Sequence, residues 1–147
     1  MANTVHLKGS NFRVGEAVAS VAAYPGYLME TDSNGEVKPH ATEGGYAARM
    51  IANEDAMQGN TLTDQYAIDD LVQLLYELPG NEVRMYLEAG QTAVIGSRLI
   101  SAGNGTLKLE SDATSAGVVK QIIGIALEAK DLSDSAAVDT LIDVELY

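Results

Sequence analysis

Two stretches of this chain repeat each other. Residues from about Gly26 to Tyr76 align with those from about Gly96 to Leu146 at an offset of roughly seventy. Gly26 meets Gly96, Asn34-Gly35 meets Asn104-Gly105 and Lys38 meets Lys108, with Val37 opposite Leu107. Farther on, Leu62, Asp64, Ala67, Asp69 and Leu71 meet Leu132, Asp134, Ala137, Asp139 and Leu141. Ala52 and Glu54 match Ala126 and Glu128 only when the offset grows by about four, which implies an insertion in one copy and a compensating one in the other. The same local structure must therefore form twice.

The repeated segments carry the signature of strands. Gly26 to Thr31, Asp32-Ser33-Asn34-Gly35 and Glu36 to Pro39 spell strand, turn, strand, because Asn-Gly readily takes the positive backbone angles of a tight hairpin. Ser97 to Ser101, Ala102-Gly103-Asn104-Gly105 and Thr106 to Glu110 form the counterpart, where Leu107 and Leu109 alternate with Thr106, Lys108 and Glu110. Asp64 to Leu78 is ambiguous: Ile68, Leu71, Val72, Leu75 and Leu78 fall at helical spacing. Its repeat partner decides for strand, since Leu141, Asp143, Glu145 and Tyr147 alternate with Ile142, Val144 and Leu146. The turn Leu78-Pro79-Gly80-Asn81 then predicts that Leu71 to Tyr76 and Val83 to Leu87 form a hairpin. The apolar run within Val119 to Glu128 predicts a central strand buried on both faces, with Gly124 where another backbone comes close. Thr42 to Tyr46 and Ser111 to Gly117 read as loops, and Ala56 to Gln65 as a longer one with a helical turn.

The expected fold is mainly β with little helix: a small β-barrel or β-tulip-like architecture built from two related β units. Residues 1 to 15 read as an extended N-terminal arm. Residues 16 to 147 read as one compact domain holding the pseudo-repeat of about 26–76 and 96–146. A chain of 147 residues buries enough surface for a real core. With no Cys, no disulfide or thiolate chemistry supports it.

Charge and hydropathy narrow the partners. Nine Lys plus Arg against 21 Asp plus Glu give a net charge of -12, so the summed field repels phosphate backbones and nucleic acid is not an expected partner. No apolar run approaches a membrane span, and the first residues lack a signal peptide's apolar segment, so synthesis in a cytoplasm and no membrane partner are expected.

Reactive constellations are sparse, and no cofactor or metal site is expected. His6 and His40 read as surface or loop histidines, because neither has a nearby Cys, second His or spaced carboxylate pair. Ser33 and Ser111 lie in turns, without a G-x-S-x-G elbow. Asp32 to Glu36 resembles the start of a calcium loop, yet Ala41 stands where a bidentate Glu belongs. The hairpins are similar to those of biotin or lipoate carrier domains, but Asn-Gly occupies the tips where the modified lysine would be. No catalytic residue is assigned; an alternative enzyme reading would draw on loop carboxylates such as Glu54, Asp55, Asp131 and Asp134, and a cellular β-rich binding module is a third reading.

The arrangement of Tyr24-Pro25-Gly26-Tyr27-Leu28, Asn34-Gly35-Glu36-Val37-Lys38-Pro39-His40 and Ile123-Gly124-Ile125-Ala126-Leu127-Glu128, followed by an acidic turn and a terminal strand, resembles the capsid cement, or decoration, proteins of tailed bacteriophages. The likeness spans roughly Ala23 to Tyr147 and rests on structural glycines, turns and strands. It implies a homotrimer on the outer surface of an expanded icosahedral head, clamping neighbouring major capsid subunits against the pressure of packaged DNA. Under that resemblance Val5, Leu7, Phe12 and Val14 become apolar capsid-binding anchors of an arm that adds a strand to a capsid sheet edge. Each weak contact gains by being one of three. Removing residues 1 to about 14 is then expected to abolish capsid binding and leave folding intact.

Overall fold

The computed structural model describes residues 4–114 and 119–147. Thirteen strands account for its regular structure: β1 His6–Lys8, β2 Arg13–Val18, β3 Met29–Thr31, β4 Val37–Pro39, β5 Met50–Ala52, β6 Leu71–Tyr76, β7 Glu82–Leu87, β8 Thr92–Ala93, β9 Arg98–Ser101, β10 Leu107–Leu109, β11 Gly124–Ala126, β12 Lys130–Asp131 and β13 Thr140–Leu146. Among the described residues there is no α-helix, only 3-10 turns at Ala56–Gln58 and Glu110–Asp112. The mainly β, barrel-like architecture expected from the sequence is the one observed.

The strands close into rings, and the two halves of the chain close theirs in the same order. In the second half β7 pairs with β13, β13 with β11, β11 with β9 and β9 with β10, all antiparallel; the parallel pair Leu107↔Leu87 then joins β10 back to β7. In the first half β2 pairs with β6, β6 with β5, and β3 with β4. Single bridges complete that circuit, Leu28↔Ile51 antiparallel and Ala19↔Val37 parallel.

Register is duplicated residue by residue. Met29↔Pro39, Glu30↔Lys38 and Thr31↔Val37 in one half answer to Leu99↔Leu109, Ile100↔Lys108 and Ser101↔Leu107 in the other. Ile51↔Leu75 answers to Ile125↔Glu145, and Leu28↔Ile51 to Ile125↔Arg98. These last pairs carry the larger offset of β5 and β11. The connection before β11 is longer than that before β5, and the connection after β5, with its 3-10 turn, is longer than that after β11. The hairpin turns use the same backbone device, Gly35 at φ 81° and Gly105 at φ 88°, left-handed values that glycine adopts without a Cβ penalty.

Two local expectations change. Leu71 to Tyr76 and Val83 to Leu87 are strands, but they do not form a hairpin: β6 lies between β2 and β5, and β7 joins β13, β10 and β1. The helical spacing is incidental: Asp69 turns the chain at φ 71°, and Ile68, Leu71 and Leu78 are exposed and form no buried stripe with Val72 and Leu75. Residues 5–15 do not stand off as an arm. β1 pairs antiparallel with β7, and β2 is a full member of the first barrel, pairing along its whole length with β6. Of the loop expected at Ser111 to Gly117, residues 115–117 lie outside the described residues.

Each barrel has its own core, and the barrels share one. Met29, Val37, Met50, Ala52, Val72 and Leu74 fill the first. Val83, Met85, Leu87, Leu99, Leu107, Ile142 and Val144 belong to the second, and Leu28, Ile51 and Leu75, which point out of the first barrel, join that same cluster. Full burial of such side chains is worth about 1.5–3 kcal/mol each. Polar latches reinforce the seam: Leu28 N donates to Gly105 O at 2.8 Å, and Gln121 accepts from Ala47 N at 2.8 Å while donating to its carbonyl at 2.9 Å.

β11 runs between β9 and β13, the central place the apolar run predicted, but it spans only Gly124–Ala126, and Ile125 is half-buried, so the strand is not buried on both faces. A Cβ built on Gly124 would fall 2.4 Å from Val144 Cγ1 and 2.7 Å from Glu145 O. Gly124→Ala is therefore expected to cost about 1–3 kcal/mol by overpacking, read as a lower midpoint in chemical denaturation. At the first hairpin, hydrogen bonds from Ser20 and from the backbone N–H of Asn34 and Glu36 hold Asp32 below its ordinary 3.8. A lowered carboxylate stabilises the fold above its unfolded pKa and loses that contribution as pH falls through the folded one. The deficit in Tm of Asp32→Asn should be full at pH 6 and shrink below pH 3.8.

Candidate functional site

The four residues expected as anchors have different fates. Val5 is completely buried in the second barrel's core, its carbonyl accepting from Arg84 N at 2.8 Å and its N–H donating to Glu54 Oε2 at 3.0 Å. It serves the fold. Leu7 is half-buried on β1. Phe12 and Val14 reach the surface, 40% and 57% exposed.

Phe12 lies at the edge of a groove of about 680 Å³ that also involves Arg13, Tyr46, Arg49, Tyr76 and Leu78. Four separate segments meet there, the fourth at Gln121. The turn before β2 brings Phe12, whose ring packs 4.4 Å from that of His6. The Arg13 guanidinium sits 3.9 Å over the Tyr76 ring, a cation–π contact that covers the strand pair Arg13↔Tyr76. Arg49 reaches Tyr147 O through two nitrogens, at 2.9 and 2.7 Å.

Beneath the groove lies a buried carboxylate. Glu77 accepts from His6 Nδ1 at 2.6 Å and from Asn81 Nδ2 at 2.6 Å. A charge held out of water needs such partners on both oxygens. On the other wall Tyr46 is 89% exposed, held out by its own backbone, because Tyr46 O accepts from His40 Nε2 at 3.0 Å. His40 lies in a loop, as expected, but not at the surface. It is 1% exposed and bonded through Nδ1 to Ser101 Oγ at 2.7 Å, with Glu30 Oε2 3.7 Å from Nε2.

Ser101, His40 and Glu30 thus resemble a hydrolytic relay in composition. Ser101 is 0% exposed and its Oγ also accepts from Gly103 N at 3.2 Å, so no substrate carbonyl can approach it. The trio pins the loop that presents Tyr46. The carboxylates of the alternative enzyme reading are occupied by backbone. Glu54 holds Val5, Asp55 caps the 3-10 turn at Gln58 N, Asp131 accepts from Ser133 N at 3.0 Å and Asp134 from Ala136 N at 2.8 Å. Among the described residues, no three His, Asp or Glu side chains gather as a metal ion would require.

A second aromatic group marks the seam between the barrels. Tyr24, Tyr27 and Tyr86 meet edge-on or tilted at 5.3–6.1 Å between ring centres, and burial first, with Asp139 and the neighbouring tyrosines adding to it, pushes the hydroxyls of Tyr27 and Tyr86 up. They stay protonated donors at neutral pH. Sequence reasoning found Phe12 and missed Arg13, Tyr46 and Tyr76. An aromatic directly after Gly44-Gly45 was the available signal for Tyr46.

The architecture is a tandem pair of small β-barrels, the outward face of the first packing into the core of the second. The same fold occurs in the N base of the head fiber gp8.5 of bacteriophage phi29, which superposes with a TM-score of 0.57 over 93% of this chain and 95% of that one, at 15% identity. No family of known proteins matches the sequence. No curated protein matches it either.

Val5→Ala is expected to destabilise by about 2 kcal/mol or more and Phe12→Ala by less than about 0.5 kcal/mol, since one empties a core site and the other trims a surface ring. Removing residues 1–8 should lower the Tm sharply, in contrast to the detachable arm expected from sequence. Calorimetry on the three variants decides whether the N-terminal segment is part of the fold.

Proposed function

We propose that this chain is a structural virion protein that binds the outer surface of an expanded phage capsid as a homotrimer and stabilises it by clamping neighbouring major capsid subunits. The observation that carries the reading is the fold shared along nearly the whole length of both chains with the base of a phage head fiber. An acidic body of net charge -12 suits an outer face, where no affinity for the genome is needed. Carboxylates and histidines spent on backbone and loop contacts suit a protein that works by shape.

In this reading the capsid contact is the groove of Phe12, Arg13, Tyr46 and Tyr76. Exposed aromatic rings beside an arginine are the side chains that most often dominate protein–protein contacts. The bound segment is a loop or strand edge of the major capsid protein, with apolar side chains against Phe12 and Tyr46 and a carboxylate near Arg13. Three copies of one modest contact give the whole a tight grip by avidity.

The test is co-sedimentation of purified protein with expanded heads of the phage that encodes it. The wild type should sediment with heads, and Phe12→Ala combined with Arg13→Ala should weaken binding at least tenfold while the Tm holds. A protein that ignores such heads, or turns over a substrate instead, removes the reading.

A further inference from the structure

The contact between the two barrels is half of a repeat, and its other half is missing at each end of the molecule. Inside the chain, the turn Tyr24-Pro25-Gly26 of the first barrel sits on the outer face of β7 and β13. A Cβ on Gly26 would meet Leu141 Cδ2 at 2.9 Å and Arg84 O at 3.2 Å, and Tyr24 and Tyr27 lie 6.1 and 5.3 Å from the Tyr86 ring. The seat is thus the pair Tyr86↔Leu141 beside Arg84↔Asp143.

Both parts of that contact recur, uncovered. The counterpart of the turn is Val94-Ile95-Gly96, built by the same bonds. Gly96 N donates to Ala126 O at 2.9 Å and Ser97 N to Val94 O at 3.0 Å, as Gly26 N does to Ala52 O at 2.8 Å and Tyr27 N to Tyr24 O at 3.1 Å. Yet Val94 and Ile95 are 60% and 72% exposed, and a Cβ on Gly96 would meet nothing within 4 Å. The counterpart of the seat is the outer face of β2 and β6, where Val18↔Leu71 stands for Tyr86↔Leu141 and Glu16↔Gln73 for Arg84↔Asp143. Val18 and Leu71 are 37% and 47% exposed, and Leu71 borders a groove of about 600 Å³ shared with Glu16, Met57, Tyr66 and Gln73.

We propose that copies of this chain join head to tail, the Val94-Ile95-Gly96 turn of one seating on the Val18–Leu71 face of the next. The occupant is a second copy because the chain already contains the complementary contact once, on equivalent strands with equivalent register. Such an interface is heterologous, using different patches on the two partners, and it produces a ring when its rotation closes. Around the turn, Arg98, Ile125 and Glu145 replace the buried Leu28, Ile51 and Leu75, so the contact between copies is more polar than the seam within a chain. The inference rests on the duplication and not on the capsid reading, although it supplies a contact that would hold the proposed homotrimer together.

The absence of cysteine makes the test clean. Val18→Cys and Ile95→Cys are made as separate variants and treated with a short bis-maleimide, alone and mixed. The mixture should give cross-linked dimers and each variant alone should not. A mixture that stays monomeric, or Ile95→Cys linking as well alone as mixed, overturns the proposal. Val94→Asp with Ile95→Asp should weaken self-association in sedimentation equilibrium at least tenfold at unchanged Tm; unchanged association, or a wild type that is monomeric throughout, overturns it as well. Cross-linking without binding to heads would remove the capsid reading and leave the self-contact standing.

Discussion

The structure depends on the burial of Leu28, Ile51 and Leu75 between the barrels. Each points away from the interior of its own barrel and into the core of the other. A unit of half this chain is near the size where a single core barely holds, and sharing a wall removes that limit. The consequence is visible in β5, where Met50, Ile51 and Ala52 are all buried: alternate residues face one core and then the other. The seam also sets where glycine must stand. A Cβ on Gly105 would lie 2.7 Å from the Tyr27 ring and 2.9 Å from Pro39, so the second hairpin's turn can abut the first barrel only without a side chain.

That seam explains what the two copies kept and what they lost. Turns kept their residues, because Asn34-Gly35 and Asn104-Gly105 meet the same backbone demand whatever surrounds them. Faces diverged, because Leu28 is buried where Arg98 is exposed, and Leu75 is buried where Glu145 is exposed. The pairing of β2 with β6 repeats in β7 with β13, yet Arg13 to Val18 and Asn81 to Tyr86 share no residue position by position. Duplication was therefore readable at the hairpins and invisible at the first strand of each unit.

The remaining misreadings have the same root: local pattern specifies an element and its direction, but not its partner. Pro79-Gly80 does turn the chain, but β6 and β7 on either side of it belong to different barrels. β1 is mostly half-buried and β2 mostly exposed, so the hydropathy of the first 15 residues gave no sign that Val5 is core. The groove followed the same rule. Phe12 was visible as an isolated aromatic, whereas Arg13 over Tyr76 follows from the β2–β6 register, and Tyr46 from the latch of His40 on Ser101. His40 could not be recognised as buried, because its partner lies 61 positions away.

A tandem duplication that packs unit against unit by one repeated contact cannot cover itself. If the turn of the first unit seats on the strands of the second, then the second unit's turn and the first unit's strands are left over, by construction. Divergence is free to make both leftovers polar, as it has done at Arg98 and Glu145. It has not done so at Val94 and Ile95 or at Val18 and Leu71, which remain apolar in a chain that is otherwise strongly acidic. Their positions are those that the internal seam already shows to be complementary. Retained apolarity at both unfilled halves of one contact is what assembly through that contact requires.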